Sequence, residues 1–83
     1  MESLRELQAK LVRAEAAIEK GVGSLIKERA LIADQAADGK DVATSRDLLV
    51  ILEDTHLLNT QHRDRLRREL DGVIAEKNRR LNA

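Results

Sequence analysis

Large aliphatic residues recur every seven positions along the first half of the chain. The repeat consists of Leu4, Leu11, Ile18, Leu25 and Ile32. Such a spacing marks the face by which one long helix packs against another. The repeat stops just before Gly39, so the pattern predicts a first helix over residues 2–38.

The apolar face of this helix widens at Gly21-Val22-Gly23. Before these residues it covers roughly 80° of the helix circumference, and between residues 22 and 33 it covers roughly 160°. A glycine in a helix interior costs about 1 kcal/mol relative to alanine. Three interpretations of the glycines stay open: a bend or short break, a close crossing of two helices, or a hinge.

A turn at residues 39–41 is predicted to lead into a second helix over residues 42–81. Gly39 suits the left-handed position that closes a helix. Asp41 is the preferred cap of the second helix, because its carboxylate also meets the positive helix start, and Thr44 is the alternative. So short a connection makes the helices antiparallel neighbours, and the numbers of facing residues then sum to about 80.

Residues 48–52, with the sequence LLVIL, are apolar on every side of a helical turn. A two-helix hairpin hides only the side of each helix that faces its partner, so the remaining apolar surface requires another chain. The expected fold is an all-α, coiled-coil-like antiparallel hairpin that dimerises into a four-helix bundle centred near the bend, with thinner, more charged arms beyond Gly21 and Asn59. The predicted dimer interface consists of Leu25, Ile26, Ile32, Leu48, Leu49, Ile51, Leu52 and Leu58.

The composition supports this assembly. The chain has 83 residues and contains no Cys, Pro, Phe, Tyr or Trp. One domain this small buries limited surface, and without disulfides or thiolate metal sites oligomerisation is the remaining source of stability. No apolar run approaches a membrane span and no signal-peptide pattern opens the chain, so a soluble cytoplasmic protein without membrane contact is expected.

The charges balance overall but are distributed unevenly. Residues 21–60 carry four basic and seven acidic side chains, a net charge of −3, and residues 61–83 carry seven basic and four acidic ones, a net charge of +3. Arginines in this second segment are candidate contacts for a partner or for phosphates: Arg63, Arg65, Arg67, Arg68, Arg79 and Arg80. Acidic residues separate them on the helix surface and no aromatic residue is present to stack on bases, which disfavours nucleic acid.

No residue pattern indicates an enzyme, a metal site or a cofactor site. His56 and His62 stand about 240° apart on a helix, too far to share one metal ion. His56 and Asn59 lie on the seam side, where polar pairing can set the register of a bundle. No Ser or Thr has a histidine and a carboxylate at informative spacing, and helices this thin are expected to offer no concave pocket.

Several short motifs between Gly21 and Leu70 resemble a family of short uncharacterised helical proteins from alphaproteobacteria. They are Leu31-Ile32-Ala33, Asp38-Gly39, Leu48-Leu49 with Glu53, His62-Arg63-Asp64-Arg65-Leu66, and Glu69-Leu70. The resemblance implies a helical hairpin and a partner surface around the HRDRL segment. No activity follows from it.

The sequence thus favours a non-enzymatic protein–protein interaction or scaffold module that acts as a homodimer and has a further protein partner. The alternative is a small helical-bundle nucleic-acid-binding protein that uses the arginine-rich arm at residues 63–80.

Overall fold

The chain forms an antiparallel helical hairpin. The computed structural model describes residues 2–82, which form helix α1 (Leu4–Ala37) and helix α2 (Ala43–Leu81). These residues are 90% helical and include no strand. The hairpin measures 68 × 16 × 14 Å, and it confirms the predicted all-α hairpin fold.

The first helix begins two residues later than predicted because Ser3 caps it. The Ser3 Oγ accepts a hydrogen bond of 3.2 Å from the backbone N–H of Glu6, which satisfies one of the free N–H groups of the first turn. At the other end Gly39 has a φ of +69°. Its N–H donates to the Ala36 carbonyl and the N–H of Lys40 donates to the Gln35 carbonyl, so Gly39 closes α1 as expected.

The second helix begins at Ala43, one residue later than predicted, after a connection at residues 38–42. Val42 occupies the capping position and has no side-chain hydrogen bond to the helix. Asp41 still contributes, because its Oδ1 accepts a hydrogen bond of 2.9 Å from the Ala43 N–H. Asp41 therefore supports the helix start from one position further out than a standard cap.

Contacts between the helices fix their register. The Ser45 hydroxyl donates to Gln35 Oε1 at 2.8 Å, and Arg67 Nη2 lies 3.3 Å from Glu15 Oε1. The residue numbers of both pairs sum to 80 or slightly more. The predicted pairing of facing positions is therefore the one observed.

The best-packed part of the hairpin lies in the arm half, which we define as residues 2–20 and 61–82. Leu7 is only 2% exposed and forms a cluster with Ala14 and Leu66, against which Leu11, Leu70 and Val73 pack. The sequence predicts arms that are thinner than a four-helix bundle at the bend; within a single hairpin, the arms are the better-packed half. Successive seam positions of α1 are all apolar here, so a narrow apolar face suffices to fill the contact between two helices.

Helix α1 continues without interruption through both glycines. A Cβ added at Gly21 would lie 4.0 Å from His56 Nδ1, an ordinary van der Waals contact, and one added at Gly23 would meet nothing within 4 Å. Neither glycine is required by a close approach of the helices.

Candidate interaction surfaces

The bend half, which we define as residues 21–60, has polar residues in the seam between the helices. Along α1 the seam positions alternate between Leu25 or Ile32 and a polar or small residue. The polar or small seam residues are Gly21, Glu28 and Gln35 on α1 and Ser45, His56 and Asn59 on α2. Only the Gln35–Ser45 hydrogen bond joins two of them directly.

Two atoms of this polar seam are buried without a hydrogen-bond partner among residues 2–82. They are the Oε1 of Glu28, a residue that is 9% exposed, and the Nδ1 of His56. A buried polar group without a partner lowers stability. The seam of the bend half therefore holds the hairpin together less strongly than the apolar seam of the arm half.

Large aliphatic side chains lie on the outside of the same segment. Eleven such residues are exposed in the described part of the chain, and eight of these belong to the bend half. The eight are Val22, Ile26, Leu31, Leu48, Val50, Ile51, Leu57 and Leu58. The bend half thus mixes polar with apolar residues in its seam and carries large aliphatic residues outside, unlike a helix pair that is complete by itself.

The exposed aliphatic residues form two faces on opposite sides of the seam. Val50 and Leu57 of α2 share one face with Glu53 by their spacing of three and four residues, and Glu53 pairs with Arg29 of α1 across that face at 4.0 Å. By the same spacing Val22 and Ile26 belong to the side of α1 that carries Arg29. We call this surface the Val50 face.

The opposite surface is named the Ile51 face. Leu48, Ile51 and Leu58 form its apolar stripe on α2, and the same spacing continues this stripe to His62 and Arg65. These two residues line a groove with Arg13 and Ala17 of α1. The stripe of α1 that contains Arg13 and Ala17 reaches Leu31 near the bend by steps of three and four. The residues of α1 on the Ile51 face include Arg13, Ala17, Lys20, Lys27, Leu31 and Asp34.

The predicted interface residues divide among three locations. Four lie in the seam within one chain, where Leu25 is buried and the others are half-buried: Leu25, Ile32, Leu49 and Leu52. Three lie on the Ile51 face: Leu48, Ile51 and Leu58. Ile26 lies on the Val50 face. The sequence-based list omitted Leu31, Val22, Val50 and Leu57, which the same three-and-four spacing on each flank of the seam would have identified.

Most of the candidate arginines contact carboxylates of their own chain. Arg63 contacts Asp64 at 3.0 Å, Arg67 contacts Glu15, and both Arg79 and Arg80 contact Glu76. The remaining two, Arg65 and Arg68, form no ion pair with any residue that the structure describes. The ion pairs between the helices, Arg29–Glu53 and Arg67–Glu15, lie on the Val50 face, and none joins the helices on the Ile51 face among the described residues.

The open end of the hairpin contains a groove that the sequence did not predict. Leu4, Leu7 and Val73 form its apolar part, Gly72 leaves it open, and charged residues border it. Ser3 also lines the groove, but its hydroxyl already caps α1. Between residues 2 and 82 no three side chains of the His, Asp and Glu types gather as metal ligands would.

Comparison with known proteins gives no match. No protein-family model, no curated protein and no solved structure is similar to this chain. Neither α1 nor α2 is long and apolar enough to cross a membrane. Interpretation of function therefore depends on the surfaces of the hairpin itself.

Proposed function

We propose that this chain is a non-enzymatic protein–protein interaction or scaffold module that acts as a homodimer. The observation that carries the proposal is the bend half, in which Glu28 and His56 lie in the seam while Ile51 and Leu58 face outward. A second chain on one of the apolar faces would remove that surface from water. Together the two hairpins would form a four-helix bundle.

The energetic gain from such a dimer is large for so small a chain. Full burial of a Leu, Ile or Val side chain is worth about 1.5–3 kcal/mol, and each face presents several of them. Between residues 2 and 82 only Leu7, Ala14, Leu25 and Leu66 are buried apolar residues, so one hairpin has little core of its own. Dimerisation supplies the apolar burial that one copy lacks.

A single second copy covers only one of the two apolar faces. The other face would then remain on both outer surfaces of the dimer, at two positions related by symmetry. A symmetric dimer with two equivalent apolar surfaces has the form of a scaffold that binds a further protein. This is why we propose an interaction module rather than a dimer without partners.

The alternative function, nucleic-acid binding by the arginine-rich arm, has weaker support. Arg63, Arg67, Arg79 and Arg80 already contact carboxylates of the same chain. A phosphate would have to displace these contacts, and within the described residues Arg65, Arg68 and Lys77 are the basic side chains of the arm without a carboxylate partner. The arm lacks the continuous basic stripe that phosphate binding requires.

Sedimentation equilibrium at micromolar concentration tests the proposed homodimer. We expect the mass of two chains, and a helical protein with the mass of one chain would contradict the proposal. Fluorescence anisotropy of labelled single- and double-stranded oligonucleotides tests the alternative. We expect no binding at physiological salt, whereas binding that weakens steeply with salt would favour the nucleic-acid function.

A further inference from the structure

We propose that two hairpins associate antiparallel through their Ile51 faces, with the acidic bend of each copy over the basic arm of the other. This inference rests on the proposed homodimer and specifies its face and orientation. The occupant of the Ile51 face is thus a second copy of this chain. Charge complementarity along the face identifies it.

Charges on the Ile51 face are separated along the hairpin. Asp34 lies at the bend end of the face, with Asp38 and Asp41 in the adjoining connection, and Arg13, Lys20 and Arg65 lie in the arm half. The apolar stripe of Leu48, Ile51 and Leu58 lies between the two groups. A surface with this order is complementary to itself when one copy is turned end for end.

The positions of these charges match a single two-fold axis. Asp34 follows Lys27 by seven residues and Lys20 precedes it by seven. Asp41, in the connection before α2, precedes Glu53 by twelve residues, and Arg65 of α2 follows it by twelve. Lys27 and Glu53 lie at the same level of the hairpin, because facing residue numbers sum to about 80 in antiparallel neighbours.

An axis at that level therefore brings opposite charges together on either side of its centre, while the two copies of Lys27 lie opposite each other at the centre of the α1 contact. The axis lies in the plane between the two faces and perpendicular to the helices, so that α1 lies over α1 and α2 over α2. Asp34 of each copy then meets Lys20 of the other, and Asp41 meets Arg65. None of these side chains forms an ion pair within the described residues of its own chain.

The same axis also matches the apolar residues of α2. Leu48 and Leu58 are each five residues from Glu53, so Leu48 of one copy meets Leu58 of the other. Ile51 and Thr55 are each two residues from it, and they meet at the centre. The axis therefore pairs leucine with leucine on both sides of the centre, where Ile51 packs against the Thr55 side chain.

A parallel arrangement would oppose like charges. Its two-fold axis runs along the helices and places α1 of one copy over α2 of the other at the same level. Asp38 would then lie nearly level with Asp41 of the other chain, and Asp34 and Lys20 would lie within about five residues, or roughly 7.5 Å, of the levels of Asp41 and Arg65. Like charges in an interface are unfavourable, so the charge pattern selects the antiparallel dimer.

The Val50 face is a poorer surface for a second copy. The Arg29–Glu53 ion pair crosses its centre, and a dimer on this face would have to desolvate that pair. Among residues 2–82, no ion pair joins the two helices across the Ile51 face.

The overlap is large enough for a specific interface. An antiparallel dimer about this axis extends from one bend to the other, about 36 Å at 1.5 Å per residue. With a hairpin width of 16 Å, the projected contact is roughly 600 Å² per copy, and accessible area exceeds projected area. Specific protein interfaces bury about 800 Å² per partner.

Neighbouring residues provide a matched test of the face. Ile51 and Val50 are 60% and 56% exposed and lie on opposite faces. We expect Ile51→Asp to weaken the dimer at least about tenfold in sedimentation, because it places a charge in the apolar centre of the interface. We expect Val50→Asp to leave the dimer unchanged. Dimer loss with Val50→Asp, or a full-strength dimer with Ile51→Asp, would overturn the assignment of the face.

A spin label at the bend tests the orientation. The chain has no cysteine, so Lys40→Cys allows one nitroxide per copy. We expect an electron–electron distance of about 40 Å, the separation of two bends related by the proposed axis. A distance below about 20 Å would show parallel hairpins with adjacent bends and would overturn the antiparallel dimer while leaving the homodimer in place.

A charge exchange tests the pairing itself. Asp34→Lys and Lys20→Asp are each expected to weaken the dimer several-fold at low salt, and the two changes in one chain are expected to restore it. Failure of the double variant to recover would contradict the pairing. A wild-type chain that is a monomer contradicts the proposed homodimer as well, so failure of the two proposals can be distinguished.

Discussion

The hydroxyl of Ser45 donates a hydrogen bond of 2.8 Å to Gln35 Oε1, across the connection between the two helices. Both residues are half-buried, and they occupy the last seam level before the bend. If the helices were offset by one residue, the Ser45 and Gln35 side chains would no longer be in contact. This contact therefore specifies the register of the hairpin next to the turn that creates it.

We expect Ser45 and Gln35 to be energetically coupled. Ser45→Ala and Gln35→Ala should each lower the free energy of unfolding, and a double-mutant cycle should give a coupling of about 0.5–1.5 kcal/mol, the usual net value of a hydrogen bond. Urea unfolding of the four proteins measures it. Thr44→Ala, at an exposed neighbouring position, is the control. Additive effects of the two single changes would show that the hydrogen bond does not set the register.

Replacement of the glycines inside α1 should stabilise the protein. Gly21→Ala and Gly23→Ala should each raise the free energy of unfolding by up to about 1 kcal/mol, since alanine is the better helix former and neither added Cβ meets a close neighbour. Gly39→Ala is the contrasting variant and should destabilise, because Gly39 has a positive φ. Destabilisation by Gly21→Ala would indicate a closer helix crossing than the structure shows.

Local patterns in the sequence predicted the two helices, the glycine that ends α1 and the antiparallel register. They did so because each depends on spacing or on a short connection. The position of the buried core in the arm half was not predicted. The wider apolar face after Gly21 was interpreted as the better-packed region of the hairpin. Residues such as Ile26 and Leu58 instead face water within one chain. The division into two faces depends on how each helix is rotated about the seam, which only contacts such as Arg29–Glu53 reveal.

Glu28 should be replaceable by leucine with a gain in stability. It lies in the seam at 9% exposure, and its Oε1 has no partner among the residues described. Glu28→Leu removes this carboxylate and adds apolar burial, so the free energy of unfolding should rise by about 1–3 kcal/mol. Glu19→Leu, at an exposed position of the same helix, should change it by less than about 0.5 kcal/mol. A loss of stability with Glu28→Leu would show that the carboxylate has a role in the seam.

The proposed axis makes a prediction for Lys27. The two copies of this residue would face each other at the centre of the α1 contact, with their ammonium groups turned outward to water. Lys27→Leu should strengthen the dimer several-fold, because it removes a like-charge pair and adds apolar surface. The dissociation constant of the dimer, measured by sedimentation equilibrium for the variant and the wild type, reports this change. Weaker association than in the wild type would place the axis at a different level.

The two halves of the hairpin should differ in hydrogen exchange, and the difference should depend on protein concentration. In the monomer at high dilution, amides near Leu7 and Leu66 should exchange more slowly than those near Glu28 and His56, because the apolar core lies in the arm half. At concentrations where the dimer forms, amides of residues 48–58 should slow markedly, since the Ile51 face becomes covered. Mass spectrometry of peptides from both halves, at two protein concentrations, makes the comparison.

Ile51→Asp is the control, and the bend half of this variant should stay in rapid exchange at both concentrations. Protection of residues 48–58 that is equal at both concentrations, in a protein shown to dissociate on dilution, would mean that the dimer interface lies elsewhere on the hairpin.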